Sequence, residues 1–191
     1  LGDVYKRQPL MMGLAFCATP IVRLILTEKW LPCVPYLQIF CITYMFWPIH
    51  TANLNAINAM GRSDYFLKLE IAKKAIGMIL LLSTMHFGVM VMAYSLLVST
   101  VTSMIINSWP NKTLLGYSFK EQMVDIFPGI FLALIMGIAI SLIRLLMLPD
   151  IVTLAIQILV GAAIYIGLSA IFKVESFEYL WNMVKSVLNK K

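Results

Sequence analysis

Five residues stand out for the chemistry they could do: Arg23, His50, Thr51, Asn55 and Asn58. At about 100° per residue, the last four fall with Thr43 and Trp47 inside an arc of about 140° on one helix. Ile42, Ile49, Leu54 and Ile57 lie mostly on its other faces. Amides donate and accept hydrogen bonds and hydroxyls do both, so the arc suits the wall of a polar cavity. The same groups also suit bonds to adjacent helices, with Pro48 freeing a carbonyl for Thr51 or His50 to tend. Arg23 stands near the end of an apolar stretch, where its side chain either meets an anion or snorkels to the interface.

No other constellation points to a reaction. The chain has no carboxylate pair, no metal-ligand spacing, no Ser-His-Asp set and no phosphate-binding glycine loop. An enzyme, a metal and a cofactor are therefore not expected. His50 has no carboxylate beside it within the apolar stretches, which makes it a poor proton relay. Cys17, Cys33 and Cys41 lack CxxC spacing and read as small apolar fillers. The Asn111-Lys112-Thr113 sequon falls in a loop expected in the cytoplasm and reads as chance.

The elements that must position these residues are helices in a bilayer. Of 191 residues 61% are apolar and 13% charged, against roughly 45–50% and about 25% in soluble domains. Trp30–Gly61, Ala75–Asn111, Ile126–Ile143 and Ile151–Phe172 contain no Asp, Glu, Lys or Arg. Each can hold a spanning helix of about 20 residues. The expected fold is all-α, an integral membrane bundle of about six transmembrane helices with a C-terminal amphipathic helix. Although the net charge is +6, the basic residues sit in short loops, which marks topology rather than a nucleic-acid face.

The spans are expected at about 9–26, 36–59, 71–87, 89–107, 127–148 and 151–172. Pro20 interrupts the first. Gly61 stops the second, and Gly61, Arg62, Ser63 and Asp64 form a tight turn in which Ser63 and Asp64 cap the next helix. His86, Phe87 and Gly88 close a helical hairpin. Ser95, Ser99, Ser103 and Asn107 recur every four residues, as do Ala133, Gly137 and Ser141, and read mainly as close-packing seams. The stretch from Ser108 to Asp125 reads as a short interfacial helix, and residues 173–191 as a cytoplasmic amphipathic tail. The polar octet Leu1–Gln8 resembles a stray adapter-derived translation, is set aside as a non-native scar, and implies that sequence is missing upstream.

Outside that octet, ten Lys and Arg residues fall on one side of the bilayer and Arg23, Lys29 and Arg144 on the other. Basic loops stay in the cytoplasm, so both ends of 9–191 are expected there.

The string EKW followed by Pro32 and Pro35, then NLNAINAMGRSD and FLKLEIAKK, resembles bacterial polysaccharide flippases, the oligosaccharide-lipid branch of the superfamily that includes multidrug and toxin extruders. The hydropathy agrees from Pro9 to the C-terminus. The resemblance implies two helical lobes around a central cavity and alternating access, without covalent chemistry. It also implies that an undecaprenyl-pyrophosphate-linked oligosaccharide crosses the bacterial cytoplasmic membrane for surface polysaccharide or lipopolysaccharide synthesis. Full-length relatives have about twelve or more spans, so this chain corresponds to part of the second lobe and terminal helices. It is expected to need the missing N-terminal half of the same protein and not to transport alone. Two alternatives stay open: a cation-coupled drug extruder, which the lack of acidic residues in the spans argues against, and a non-transporting scaffold or membrane enzyme.

Overall fold

The computed structural model describes residues 2–172, which form helices joined by short turns, with no strand among them. The amphipathic tail expected at 173–191 lies outside the described residues. Eight α-helices follow in order: α1 Gly2–Phe16, α2 Ala18–Leu26, α3 Val34–Met45, α4 Trp47–Ala59, α5 Ser63–Thr84, α6 Val89–Leu115, α7 Phe119–Leu142 and α8 Asp150–Ile171. Short 3-10 turns occupy Glu28–Cys33, Met85–Phe87 and Ile143–Leu146.

By length and apolarity α6, α7 continued to Leu146, and α8 can each cross a bilayer. The pair α1 and α2 qualifies together as a fourth, although bent by 67°. The first span is expected to break at Pro20, yet the break falls at Cys17, and Pro20 is buried in the first turn of α2. A proline ring clashes with the carbonyl four residues before it, here that of Phe16, so the discontinuity lies a turn upstream. The same displacement divides the second expected span, with α3 ending at Met45 and α4 starting at Trp47 just before Pro48. The octet set aside as a scar is largely helical, since α1 starts at Gly2.

Two compact units are present. The first comprises Ile39–Asp125. In it α5 and α6 form the expected hairpin, turning at Gly88 with φ +96°, and α4 packs on both. Gly61 has φ +72°. Arg62 N–H donates to the Ile57 carbonyl at 3.2 Å and Gly61 N–H to that of Asn58 at 2.9 Å, the bond pair of a Schellman ending. The expected capping of α5 by Ser63 and Asp64 does not occur. The residue before α5 is Arg62, with no side-chain cap, and the Asp64 carboxylate pairs with the Arg62 guanidinium at 3.2 Å instead.

The interfacial helix expected from Ser108 to Asp125 is also absent. Helix α6 runs on through Pro110 to Leu115, Gly116 ends it in the left-handed region, and α7 begins at Phe119. Ser118 and Glu121 start α7 reciprocally: Ser118 N–H donates to the Glu121 carboxylate at 2.6 Å, and Glu121 N–H to the Ser118 hydroxyl at 3.4 Å. This is a capping box. The continuation of α6 is favoured because Asn107, Ser108 and Asn111, which an interfacial helix would wet, are buried among other polar groups.

The second unit comprises Gly2–Gln38 and Ile126–Lys191, described to residue 172. Here α8 packs on α1 and α2. Its buried residues are Thr153, Gln157, Gly161, Tyr165 and Ser169, every fourth position, while Ile151, Ile158, Leu159, Ile166 and Ile171 are more than half exposed. Water would reverse that arrangement. A hydrocarbon solvent favours it, since polar groups find partners only inside and apolar chains lose nothing outside. Ala133 and Gly137 on α7 are likewise buried.

Candidate functional site

A cavity of about 360 Å³ lies in the first unit, lined by α3, α4, α5 and α6. Thr43, Tyr44, Trp47, His50 and Thr51 form one side. Glu70, Lys73 and Lys74 come from α5, and Ser99, Thr100 and Ser103 from α6. These serines belong to the four-residue recurrence, so that face of α6 serves as cavity wall as well as seam.

The chemistry of the wall is specific. Thr43, Thr51 and Thr100 donate their hydroxyl protons to the carbonyls of Ile39, Trp47 and Leu96 at 2.9, 3.2 and 2.9 Å. Their oxygens therefore remain as acceptors. Lys73 pairs with Glu70. Lys74, on the exposed side of α5, adds a second ammonium to the cavity lining. Two cations against one carboxylate leave a net positive charge in a site bounded by apolar helices, where charge is costly unless matched.

Behind His50 stands a buried amide cluster. Asn107 Nδ2 lies 3.2 Å from His50 Nδ1. Asn53 Nδ2 donates to Gln122 Oε1 at 2.9 Å and to Ser108 Oγ at 3.3 Å. Asn111 Nδ2 donates to Asn53 Oδ1 at 2.6 Å, and Ser108 Oγ to Gln122 Oε1 at 3.0 Å. Asn53, Asn107, Ser108, Asn111 and Gln122 are each at most 5% exposed. The sequon asparagine is thus enclosed by protein.

The structure divides the residues singled out from sequence. His50 and Thr51 line the cavity. Asn55 and Asn58, one and about two turns beyond Thr51 along α4, are exposed and stand outside the lining. Asn53, which the polar arc did not include, takes the buried position. It lies about 60° from His50 on the side opposite Thr51, toward buried Ile49 and Ile57. Lys73 and Lys74, which the polar arc did not include either, also line the cavity. The i, i+3 relation of Lys73 to Glu70 was the signal that one of them is neutralised locally.

Arg23 belongs to the second unit. Its guanidinium Nη1 lies 3.2 Å from Asp150 Oδ1, and its Nε 3.6 Å from Glu28 Oε1. The anion it meets is therefore the chain's own, at the first turn of α8. Gly61, Arg62, Ser63 and Asp64 form the turn between α4 and α5, with the Arg62 guanidinium also 4.4 Å from the Tyr65 ring centre. Asp64 is held below the ordinary carboxylate range, chiefly by its hydrogen bond from Arg62.

A second cavity, of about 420 Å³, lies in the second unit between α1, α7 and α8. Its wall is apolar apart from Gln157 and Tyr165. Gln157 Nε2 donates to the Ile140 carbonyl at 2.9 Å.

Comparison with known proteins bears on the class. The chain is 24% identical over 164 residues to the uncharacterized membrane protein MJ1068 of Methanocaldococcus jannaschii, a match covering 84% of this chain and 31% of that one. The chain thus spans about a third of its relative's length. No family model matches. No solved structure matches. Together with the inverted burial of α8 and the apolar spans, the similarity fixes the class. This is a membrane protein, helical throughout its described residues.

Proposed function

We propose that the chain is part of a flippase that moves a lipid-linked oligosaccharide across the bacterial cytoplasmic membrane by alternating access. In this reading six spans cross the bilayer: the bent pair α1–α2, the broken pair α3–α4, and α5, α6, α7 and α8. Both ends of the chain are cytoplasmic. The missing part of the same protein completes the transport path, and surface polysaccharide synthesis is the process served.

The observation that carries the reading is the cavity of the first unit. Lys73 and Lys74 offer charge to a pyrophosphate. Three threonine oxygens, with their protons already committed, offer acceptors to sugar hydroxyls. Sugars present many neutral donors and acceptors, and hydroxyls and amides meet them without fixed charge in the bilayer. The resemblance of EKW, NLNAINAMGRSD and FLKLEIAKK to the flippases supports the same conclusion.

The test replaces Lys73 and Lys74 together by Gln in the full-length parent. Lipid-linked oligosaccharide reaching the outer leaflet and folded protein in the membrane are measured in one strain. The expected outcome is export reduced about ten-fold or more at unchanged protein level, the size of effect given by losing contacts to a charged group. Normal export at normal protein level would exclude the cavity as a pyrophosphate site. Drug efflux without oligosaccharide export would favour the extruder.

A further inference from the structure

Three aromatic rings run in succession past the break between α3 and α4. Phe40 and Tyr44 have ring centres 6.5 Å apart, tilted by 38°. Tyr44 and Trp47 are 5.9 Å apart, tilted by 42°. All three are close to half exposed, at 43, 47 and 53%. Aromatic residues facing lipid would account for exposure alone. Tyr44 and Trp47, however, line the same cavity as Glu70, Lys73 and Lys74, and three charged side chains do not share a surface with acyl chains.

Helical spacing produces the alignment, and the break does not undo it. In an unbroken helix residues 40, 44 and 47 follow the i, i+4, i+7 stripe and stack along one side. The interruption at Phe46, whose N–H reaches the Thr43 carbonyl at 3.3 Å, leaves Trp47 beside Tyr44. The ladder thus leads into the cavity, with Phe40 beyond its lining.

We propose that Phe40, Tyr44 and Trp47 form a stacking track for consecutive sugar rings, with the ring nearest the pyrophosphate seated on Trp47. The C–H face of a pyranose carries partial positive charge and an aromatic face partial negative charge, so the two attract while the sugar's hydroxyls remain free at its rim. The spacing of the rings is close to the length of one sugar unit, and Thr43 and Thr51, with acceptor oxygens, line the same cavity as Tyr44 and Trp47. The occupant is the glycan of the lipid-linked substrate, a choice that rests on the flippase reading and on the positive charge of Lys73 and Lys74 at the end of the track.

The experiment separates the track from that reading. The full-length parent in nanodiscs is titrated with undecaprenyl pyrophosphate, with the same carrier bearing two N-acetylglucosamine units, and with soluble chitohexaose and maltohexaose. Each is measured for the parent and for Trp47→Leu, Tyr44→Leu and Trp47→Phe. The expected result is that the sugar-bearing carrier binds more tightly than the bare one. Each Leu variant should lose about five-fold of that increment, and Trp47→Phe should keep most of it. Thermal unfolding is followed for every variant, so that loss of binding is separated from loss of fold. Trp47→Phe keeps an aromatic face, and a purely structural role for Trp47 would not tie binding to the presence of sugar. Binding of the carrier with a sugar increment indifferent to the rings would overturn the track and leave the flippase reading standing. Binding of a soluble oligosaccharide in a Trp47-dependent way, with no response to the carrier, would uphold the track and overturn the flippase reading. No binding of any probe overturns both.

Discussion

Phe16 on α1 lies across Gly137 on α7 so closely that a Cβ built on the glycine would come within 2.3 Å of the ring. The contact is a feature of membrane packing, where small residues let helices approach and dispersion replaces the hydrophobic effect as the attraction. Gly137→Val should destabilise the second unit by about 1–3 kcal/mol, the usual cost of overpacking. Phe16→Leu combined with Gly137→Ala should recover part of it. Folded yield in detergent and thermal unfolding report the change, and an unaltered Gly137→Val protein would show that α1 and α7 are not in this contact.

A second expectation concerns Asn53. Its amide joins Gln122, Ser108 and Asn111, so Asn53→Leu strands several buried groups at once, each unmet group being worth about 1–3 kcal/mol. Hydrogen bonds between membrane helices average nearer to about 0.6 kcal/mol because the unfolded helices also find partners, which places the expected loss toward the lower end. Replacing Asn55 and Asn58 by Leu should leave folded protein unchanged, since both are exposed. If the pair Asn55 and Asn58 proved the more damaging, the orientation of α4 would be wrong.

The difference between Asn53 and its neighbours marks the boundary of what the sequence reveals. Membrane class, helical content, the hairpin at Gly88 and the left-handed ending at Gly61 follow from composition and glycine placement, which act locally. The face of α4 that turns inward does not, because in a bilayer an asparagine gains by pointing toward either a helix or a cavity, and periodicity alone cannot choose. The breaks at Cys17 and Phe46 sit upstream of Pro20 and Pro48 because the clash occurs at a preceding carbonyl. Packing of α5 on α6 brings Lys73 and Lys74 to the cavity, a tertiary relation that the spacing of charges along α5 does not reveal.

The turn at Gly61 should matter through backbone geometry. A side chain at 61 has open space around it, yet the left-handed conformation costs a β-carbon roughly 1–2 kcal/mol, so Gly61→Val should lower folded yield. Arg62→Ala removes a solvent-facing ion pair and should not. Because the Asp64 carboxyl is depressed in the folded protein, whatever the pair contributes is present above the carboxyl's unfolded value. It is lost as pH falls through the folded one. Harm from Arg62→Ala with tolerance of Gly61→Val would reverse the assignment.

Topology has a direct check. A single reporter cysteine at Ser63, in a parent whose own cysteines are replaced, should resist an impermeant reagent applied to intact cells and react after permeabilisation, as a cytoplasmic turn requires. Labelling from outside would invert every span.

The last prediction concerns Arg23, which is part-exposed and lies 3.2 Å from Asp150. If the pair is structural, joining α2 to the first turn of α8, then Arg23→Gln and Asp150→Asn should have similar, small effects on folded yield. Exposed pairs contribute about 0.2–1 kcal/mol. The charge-reversed protein, Arg23→Asp with Asp150→Arg, should recover part of what the single reversals lose. If Arg23 instead serves a substrate anion, Arg23→Gln should abolish export at normal protein level. Asp150→Asn, which frees the guanidinium, should then leave export intact or raise it, and the reversed pair should be inactive though folded. Folded protein and export measured across these variants decide between the two roles, because only the structural role makes the two partners interchangeable.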